Sequence, residues 1–184
     1  MGGHNPPLLQ GFNCIARANA RILILGSMPG QASLQKNQYY AHPRNSFWTI
    51  MGRLFDAGPE HSYEERLALL QEQRIALWDV VYRCARQGSL DTAIEQNTVE
   101  ANDFHRLFAA CPKIHSVFFN GQKAAMLFRQ QVLPGLPAAL AGLHYQTLPS
   151  TSPAHASLNT EQKLQQWSCI KQALIHNPDD KHPT

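Results

Sequence analysis

The fold is decided by the stretch ILILGSMPG at residues 22–30, where an apolar run of strand length ends in a small, proline-containing turn. A second stretch of the same kind, YQTLPSTSPAHA, occupies residues 145–156. In an open parallel sheet, the loops that leave the carboxyl ends of the strands line one crevice, and ligands bind there. We therefore expect these two segments, although they are far apart in the sequence, to share one crevice.

Between these segments, the sequence alternates between strand and helix patterns. Helical spacing predicts helices that begin near Asn45, after Ser62, near Phe104, after Gly121 and after Asn159. Apolar runs predict strands at 21–26, 75–82, 114–119 and 144–148. This alternation is typical of parallel βαβ units with right-handed crossovers. The prediction is an α/β fold with a sheet of about four parallel strands, helices on both faces, and a polar loop over 84–99.

Length and composition favour one globular domain over 1–184. The chain has 184 residues, of which 43% are hydrophobic and 16% are charged. Its ends, at about 1–6 and 177–184, are predicted to be flexible. No apolar run approaches the roughly 18 residues that a membrane span needs, and the start of the chain lacks a secretion signal. We therefore expect a cytoplasmic protein with no membrane partner.

The cysteines argue against a metal centre. Cys14, Cys84, Cys111 and Cys169 are far apart and form no C-x-x-C pair. Zinc sites and iron–sulfur clusters usually show paired spacing. We therefore expect reduced thiols, no metal and no cofactor.

Charge is distributed unevenly, although the net charge is only +3. Ten of the thirteen acidic residues lie between Asp56 and Asp103, whereas the ranges 1–55 and 104–160 contain basic residues and no acid. Both quoted segments lie in these acid-free ranges, so a shared crevice would be positive and would attract a polyanion. Chance clustering in a small protein is the alternative.

The turn at 26–30 lets the backbone approach a ligand closely, because Gly26 and Gly30 carry no Cβ. It matches neither the Walker phosphate loop nor the glycine pattern of a dinucleotide site, so a plain tight turn is the alternative. Further along, Tyr39 and Tyr40 precede a segment that must be extended before Pro43. Their rings suit either stacking on a base or packing on the core as a lid.

Asn45 has two explanations. It stands directly before the helical periodicity that starts at Phe47, where Asn is a favoured N-cap. At the mouth of the predicted crevice, its carboxamide oxygen would instead hold a water molecule. Asn120, at the end of a predicted strand, likewise has two explanations: it contacts the edge of a base, or it caps the following helix. Lys123, in the first turn of the following helix, favours anion binding.

The loop over 148–156 has too many prolines and small residues for regular structure. The hydroxyls of Ser150, Thr151 and Ser152, together with free N–H groups, suit phosphate oxygens. Stiffened by proline, the loop also suits insertion into a duplex groove as a wedge. His155 suits a phosphate contact or assistance to a leaving group, although a lone surface histidine commonly does neither.

Taken together, these segments resemble the uracil-DNA glycosylase superfamily, and most closely its hypoxanthine-DNA glycosylase branch, often called family six. The resemblance covers the chain from about Arg21 to Leu174. The turn at 26–30 resembles the first superfamily motif, YAHPRNSFW at 40–48 its continuation, and 148–156 the second motif. This resemblance implies a three-layer α/β/α fold and a monofunctional, monomeric enzyme of base excision repair. Such an enzyme flips a damaged base out of DNA and hydrolyses its glycosidic bond.

The resemblance also indicates site residues. Asn45 matches the asparagine regarded as catalytic in this branch, and Tyr40 matches an aromatic residue that stacks on the extruded base in related mismatch-specific enzymes. The predicted site is therefore catalytic Asn45; base-binding Gly26, Ser27, Met28, Tyr40, Phe47 and Asn120; and DNA-binding Pro29, Gly30, Arg44, Lys123, Ser150, Thr151, Ser152 and His155.

Departures from the superfamily pattern bear on the substrate. The first motif lacks the water-activating Asp of the main uracil enzymes and has Met28 at or near that position. At the start of the second motif, Leu148 stands where several families have a His or Asn that helps the uracil anion leave. The expected target is therefore a deaminated purine, above all hypoxanthine in deoxyinosine. A mismatch-specific uracil or thymine glycosylase and a catalytically silent DNA- or nucleotide-binding module are the alternatives. Asp79 and Asp91 are further candidate carboxylates, which the sequence does not place near the other site residues.

Overall fold

A computed structural model describes residues 6–176, so the predicted flexible ends lie outside the described residues, except for Pro6. Its centre is a sheet of four parallel strands: β2 (Ile22–Gly26), β3 (Ile75–Asp79), β6 (Ser116–Asn120) and β7 (His144–Leu148). The strand order is β3-β2-β6-β7. The four predicted parallel strands are therefore confirmed, with differences at their ends.

The register of the sheet brings the ends of the strands into one row. Gly26 pairs with Asp79, and Asn120 pairs with Leu148. These four residues lie along the edge where the parallel strands end. Segments that follow the strands therefore begin at the same edge and are positioned to form a common site.

Helices cover both faces of the sheet, because the central strands are apolar on both sides. Ile22 and Ile24 face one core, whereas Leu23 and Leu25 face the other. The three-layer α/β/α arrangement is confirmed. The first face carries α2 (Phe47–Phe55), α3 (Tyr63–Glu72), α7 (Thr160–Trp167) and α8 (Cys169–Ile175), and the second carries α4 (Phe104–Ala110) and α5 (Gln122–Gln131).

A second sheet is absent from the sequence-based prediction. It is antiparallel and contains β1 (Leu8–Gln10), β4 (Val81–Ala85) and β5 (Glu100–Ala101), in the order β1-β4-β5. The predicted strand at 75–82 is therefore wrong in length, because the chain leaves the parallel sheet after Asp79. The apolar run continues through Val80 and Val81, which are themselves buried, so hydrophobicity does not mark the break.

Three further details differ from the prediction or refine it. The range 84–99, for which the sequence predicts a loop with room for one helical turn, holds the end of β4 and two 3-10 turns at Asp91–Ala93 and Gln96–Thr98. The last helix is divided at Ser168 into α7 and α8. Two short helices, α1 (Gln31–Lys36) and α6 (Ala138–Ala141), lie in connections. Within 6–176, no helix is long and apolar enough to cross a membrane.

Candidate active site

A cavity of about 930 Å³ opens at the edge where the parallel strands end. Both segments singled out in the sequence line it, 26–30 from one side and 150–155 from the other. A direct contact joins them, since the backbone N–H of Ser46 donates to the carbonyl oxygen of Thr151 at 3.0 Å. The predicted convergence of the two segments on one crevice is therefore confirmed.

Tyr40 forms one wall of the cavity. Its ring stacks on that of Phe47, with centroids 4.0 Å apart and planes 25° from parallel. The backbone of Tyr40 has φ 53°, a left-handed conformation that is unfavourable for a bulky side chain and is found mainly where function or packing demands it. Phe47 is completely buried, so it supports Tyr40 from behind, and its predicted direct contact with a base is wrong.

Tyr39 belongs to the core rather than to a stacking surface. It is 2% exposed, and its hydroxyl donates to the carbonyl oxygen of Asn13 at 2.9 Å. Its own carbonyl oxygen accepts a hydrogen bond from the indole N–H of Trp48 at 2.8 Å. Of the two explanations offered for this tyrosine pair, packing on the core applies to Tyr39, whereas Tyr40 faces the cavity.

Asn45 binds the first turn of a helix and lines the cavity, but the N-cap position predicted for it is held by the next residue, Ser46. Its Oδ1 accepts a hydrogen bond from the backbone N–H of Phe47 at 3.0 Å, at the start of α2. The residue is half-buried at the cavity mouth. A carboxamide oxygen has two lone pairs, so Oδ1 can accept this hydrogen bond and still orient a water molecule. The two roles of Asn45 are therefore compatible in the structure.

Asn120 and Thr151 bind each other across the cavity floor. Asn120 Nδ2 donates to Thr151 Oγ1, and the backbone N–H of Thr151 donates to Asn120 Oδ1, both at 2.9 Å. The Asn120 oxygen and one of its two N–H groups are thus engaged. The Asn120 amide also acts on the Tyr40 hydroxyl: burial raises the pKa of Tyr40, and the hydrogen bond from Asn120 opposes that rise. Thr151 is 1% exposed, and its side chain anchors the loop, although the residue also lines the cavity. Its contact with DNA stays a prediction.

The loop over 148–156 uses its own polar groups, which corrects the prediction of free N–H donors. The backbone N–H of Ser152 donates to Ser150 Oγ at 3.2 Å, and that of Ala154 donates to Ser152 Oγ at 3.2 Å. The backbone N–H of His155 donates to the carbonyl oxygen of Ser152. The hydroxyl hydrogens of Ser150 and Ser152, which line the cavity, are donors that this loop offers to a ligand.

The helix α7 holds the same loop from behind. The indole N–H of Trp167 donates to the carbonyl oxygen of Pro149 at 2.9 Å, and Lys163 Nζ donates to that of Ser152 at 3.3 Å. Trp167 is completely buried and Lys163 nearly so. Burial lowers the pKa of Lys163. Together with the Asn120 contact, these bonds fix the loop on three sides.

Asp79 and Asp91 also line the cavity, although the sequence does not place them there. Asp79 ends β3 beside Gly26, and Asp91 Oδ1 accepts a hydrogen bond from Ser27 Oγ at 2.6 Å. Burial, reinforced by the charge of Asp91, raises the pKa of Asp79 to about 7, with Arg86 acting in the opposite direction. Burial also raises the pKa of Asp91, against the hydrogen bond from Ser27.

Arg86 is a further residue that the sequence analysis misses. Its guanidinium is 1% exposed, and it donates to the carbonyl oxygens of Gly88 (2.9 Å), Met28 (3.5 Å) and Pro29 (2.5 Å). These bonds shape the turn at 26–30. The only sequence feature of Arg86 is that it directly follows the strand β4, and this does not predict a buried guanidinium.

The pairing register of β2 and β3 places Asp79 in the site. Once the strand over 75–79 is aligned with 22–26, the final residues of the two strands become neighbours, and Asp79 lies beside Gly26. The incorrect extension of this strand to residue 82 hid that relation. Gly26 itself is required by close approach, since a Cβ there would lie 2.4 Å from Asp79 Oδ1 and 2.9 Å from the Tyr40 hydroxyl.

The other predicted site residues fall at the rim or beside it. Arg44 is exposed at the mouth, while Met28 and Pro29 are buried in the lining next to Gly30. Lys123 is outside the lining, but its charge acts on Asp91. Within 6–176, no cluster of three or more His, Cys, Asp or Glu side chains is arranged to hold a metal ion.

Comparison with known proteins agrees with this arrangement. The family model of the uracil DNA glycosylase superfamily matches residues 14–173. A hypoxanthine DNA glycosylase from Methanosarcina acetivorans is 35% identical over 164 residues, which is 88% of this chain and 96% of that protein. A hypoxanthine DNA glycosylase from Methanosarcina barkeri is 40% identical over 116 residues, covering 62% of this chain and 72% of that protein.

A solved structure shows the same fold. The solution NMR structure of a Methanosarcina acetivorans protein described as a candidate uracil DNA glycosylase has a TM-score of 0.75 and 33% identity to this chain. The match covers 92% of this chain and all of that one. With its motifs gathered around one cavity, this chain belongs to the uracil-DNA glycosylase superfamily.

Proposed function

We propose that this protein is a monofunctional DNA glycosylase that hydrolytically excises hypoxanthine from duplex DNA, acting as a monomer in base excision repair. The observation that carries the proposal is the meeting of Asn45, Tyr40 and the loop over 148–156 around one cavity. Relatives named hypoxanthine DNA glycosylase, at 35% and 40% identity, support the choice of base. A pocket of about 930 Å³ is large enough for a flipped nucleotide.

The base must leave the duplex before its glycosidic bond can be reached. Flipping costs a few kcal/mol and costs least for a mispaired or damaged base. Hypoxanthine formed by deamination of adenine stands opposite thymine, with which it pairs poorly, so its extrusion is favoured. In the cavity, the ring of Tyr40, supported by Phe47, provides a flat surface on which the base can stack.

Bond cleavage moves charge in a way that the cavity can stabilise. Positive charge develops on the sugar and negative charge on the departing base. We assign to Asn45 the orientation of the attacking water, because a carboxamide cannot accept a proton at neutral pH. The backbone N–H groups of the turn at 26–30 and the amide of Asn120 are preorganised dipoles that can stabilise the departing base.

DNA is held at the rim of the cavity. Arg44 and the hydroxyl hydrogens of Ser150 and Ser152 are placed to donate to phosphate oxygens. His155, half-buried in the same lining, can add a further contact. The acid-free ranges 1–55 and 104–160 supply these segments, so the rim suits a polyanion.

Asn45→Ala tests the proposal. Single-turnover excision from a duplex with one hypoxanthine opposite thymine should fall by ~10²-fold or more, the usual scale for the loss of one preorganised group. Loss of the hydrogen bond to the start of α2 should cost only about 1 kcal/mol of unfolding free energy, so the variant should still fold. Asn97→Ala makes the same chemical change at an exposed position and should retain the wild-type rate.

The same assay separates the alternative functions. Duplexes carrying hypoxanthine, uracil or thymine opposite each base are incubated with the protein, and abasic sites are cleaved with alkali. Breaks at hypoxanthine support the proposal, whereas breaks only at uracil or thymine would identify a mismatch-specific enzyme. Binding without breaks would identify a silent module. An Asn45→Ala variant with an unchanged rate would reduce Asn45 to a structural contact with the start of α2.

A further inference from the structure

Asp79 is the buried titratable group that the mechanism above leaves unused. It is 3% exposed and lines the cavity at the end of β3. Asn102 Nδ2 donates to its backbone carbonyl oxygen at 2.8 Å and holds the backbone in place. Among residues 6–176, its side-chain atom Oδ2 has no hydrogen-bond partner. An unpartnered polar atom at such depth requires an explanation.

The immediate neighbours of Asp79 suit a hydrogen-bonding ligand. The hydroxyl of Tyr40 is buried beside it and, among the described residues, also lacks a hydrogen-bond partner of good geometry. The space that a side chain at residue 26 would occupy is taken up by Asp79 Oδ1 and this hydroxyl, which lie 2.4 and 2.9 Å from the Cβ position. Two buried polar groups therefore lie side by side at the cavity lining: Asp79, whose Oδ2 has no hydrogen-bond partner among the described residues, and the Tyr40 hydroxyl, on which the Asn120 amide acts.

The surroundings of Asp79 favour its neutral form. The charged and titratable groups that face it are Asp91, Arg86, Tyr39, Tyr40, Tyr63 and Cys14. Arg86 is the cation among them, and its hydrogen bonds go to the carbonyl oxygens of the turn at 26–30 and of Gly88. Asp91 is a second carboxyl, which opposes ionisation of the first. Burial agrees with this, since it raises the pKa of Asp79 to about 7.

A neutral carboxyl group carries one O–H donor and one acceptor oxygen side by side. The 6-oxopurine hypoxanthine presents the complementary pair, a keto oxygen beside a ring N–H. We propose that Asp79, in its protonated form, donates its hydrogen to the keto oxygen of the flipped base and accepts from the adjacent ring N–H. Asp79 is then a catalytic and specificity-determining residue, an assignment that rests on the proposed function.

This contact strengthens as the reaction proceeds. The C1′–N9 bond breaks, and its electron pair passes to the purine, where part of the charge collects on the keto oxygen. The oxygen of water bonds to C1′, and the proton that water loses ends on the released base. The Asp79 hydrogen bond is therefore stronger in the transition state than in the bound substrate, which is the condition for catalysis.

The same contact discriminates against purines that lack the keto oxygen. Without that oxygen, the O–H of Asp79 has no acceptor at that position of the base. A site built to hydrogen-bond a substrate rejects an analogue that leaves its buried groups unpaired. We expect the preference for hypoxanthine over purine to depend on Asp79.

The test compares Asp79→Asn with Asp79→Ala in single-turnover excision between pH 6 and 9. Because protonated Asp79 is the active form, the wild-type rate should fall as the pH rises through about 7. An Asn amide also pairs a donor with an acceptor but does not titrate, so Asp79→Asn should stay within ~10-fold of wild type at pH 6 and lose the alkaline decline. Asp79→Ala should lose ~10²-fold at pH 6. Asp56→Asn removes a carboxylate at an exposed position outside the cavity and serves as the control.

The proposal is overturned if Asp79→Asn keeps the wild-type alkaline decline, or if a folded Asp79→Ala keeps the wild-type rate. A wild-type protein that releases no hypoxanthine refutes the proposed function instead. Calorimetric binding of free hypoxanthine and of purine, which lacks the keto oxygen, then decides the inference alone. Wild type should prefer hypoxanthine at pH 6, and Asp79→Ala should not; equal binding by wild type overturns the assignment.

Discussion

At the scale of the residue, Gly26 is the position where one added methyl group would disturb the cavity most. A Cβ there would lie within 2.9 Å of both the Asp79 carboxylate and the Tyr40 hydroxyl, closer than real Cβ contacts. Both neighbours are buried and have little room to move away. The absence of a side chain at Gly26 is therefore what allows these two polar groups to face the same part of the cavity.

Gly26→Ala should lower hypoxanthine excision by ~10-fold or more, because a 1 Å shift of a positioning group can cost that much. Overpacking should cost about 1–3 kcal/mol of unfolding free energy, measured by urea denaturation. Gly135→Ala, where no atom lies within 4 Å of the added carbon, is the matched control for both quantities. An unchanged rate in a Gly26→Ala protein would mean that Asp79 and Tyr40 are not positioned tightly.

Individual residues differ in how far the sequence can predict them. Asn45 and Tyr40 were accessible because they lie in short motifs with local meaning, a helix start and an extended aromatic segment. Asp79 was not, since its role depends on the residue that lies beside it in the neighbouring strand. The partnership of Asn120 with Thr151 was likewise hidden, because a hydrogen bond between residues 31 positions apart has no local pattern.

At the scale of the element, the loop over 148–156 is fixed by bonds from three different parts of the chain. Asn120 holds it from β6, Ser46 from the start of α2, and Lys163 and Trp167 from α7. An irregular loop held in this way is a precise scaffold, because most of its own N–H groups are also satisfied. Its rigidity is a property of the fold rather than of its prolines alone.

Asn120→Ala tests this element. The variant removes two hydrogen bonds and leaves the buried N–H of Thr151 without its acceptor, so the free energy of unfolding should fall by ~1–3 kcal/mol. Amide hydrogen exchange at residues 150–155 should accelerate more than exchange in β2, since the loop loses one of its anchors. Thr151→Val, which removes only the hydroxyl, should give a smaller effect on both measurements. Unchanged exchange in the loop would show that α7 and α2 suffice to hold it.

The elements themselves were largely predictable, and the two failures have different causes. Parallel strands such as β2 are continuous apolar runs. The capping boxes that begin at Ser62 and Asn159 predict the helices α3 and α7. The boundary between β3 and β4 fails because both strands are buried, so apolarity continues from one sheet into another. The strand β1, with one half-buried residue and two exposed ones, lacks any apolar pattern to detect.

At the scale of the whole molecule, charge is distributed unevenly along the chain, but the crevice lacks the purely positive lining that the sequence predicts, since Asp79 and Asp91 line it together with Arg44. The acidic residues concentrate between 56 and 103, and the segments that line the cavity come mainly from the acid-free ranges. A modest net charge of +3 therefore hides a polarised distribution. Electrostatic attraction of this kind acts on association with DNA rather than on the chemical step.

Arg44→Gln should weaken binding to duplex DNA and lower the slope of log Kd against log salt concentration by about 1, the expected loss for one phosphate contact. The excision rate at saturating protein should change little, because this residue acts at the rim. Arg129→Gln, in the last turn of α5, is a matched control and should leave the slope unchanged. An equal effect of both substitutions would indicate that only the total charge matters.

The bonds from Lys163 and Trp167 to the loop over 148–156 have a consequence for the carboxyl-terminal end of the described chain. The helix α7 binds the loop that lines the cavity, and Trp167 of α7 and Ile170 of α8 are also fully buried in the core on one face of the sheet. Proteolytic trimming back to residue 160 should therefore abolish excision, through loss of both the loop contacts and this core packing. Fusion partners and affinity tags belong beyond Ile175, where they spare these contacts.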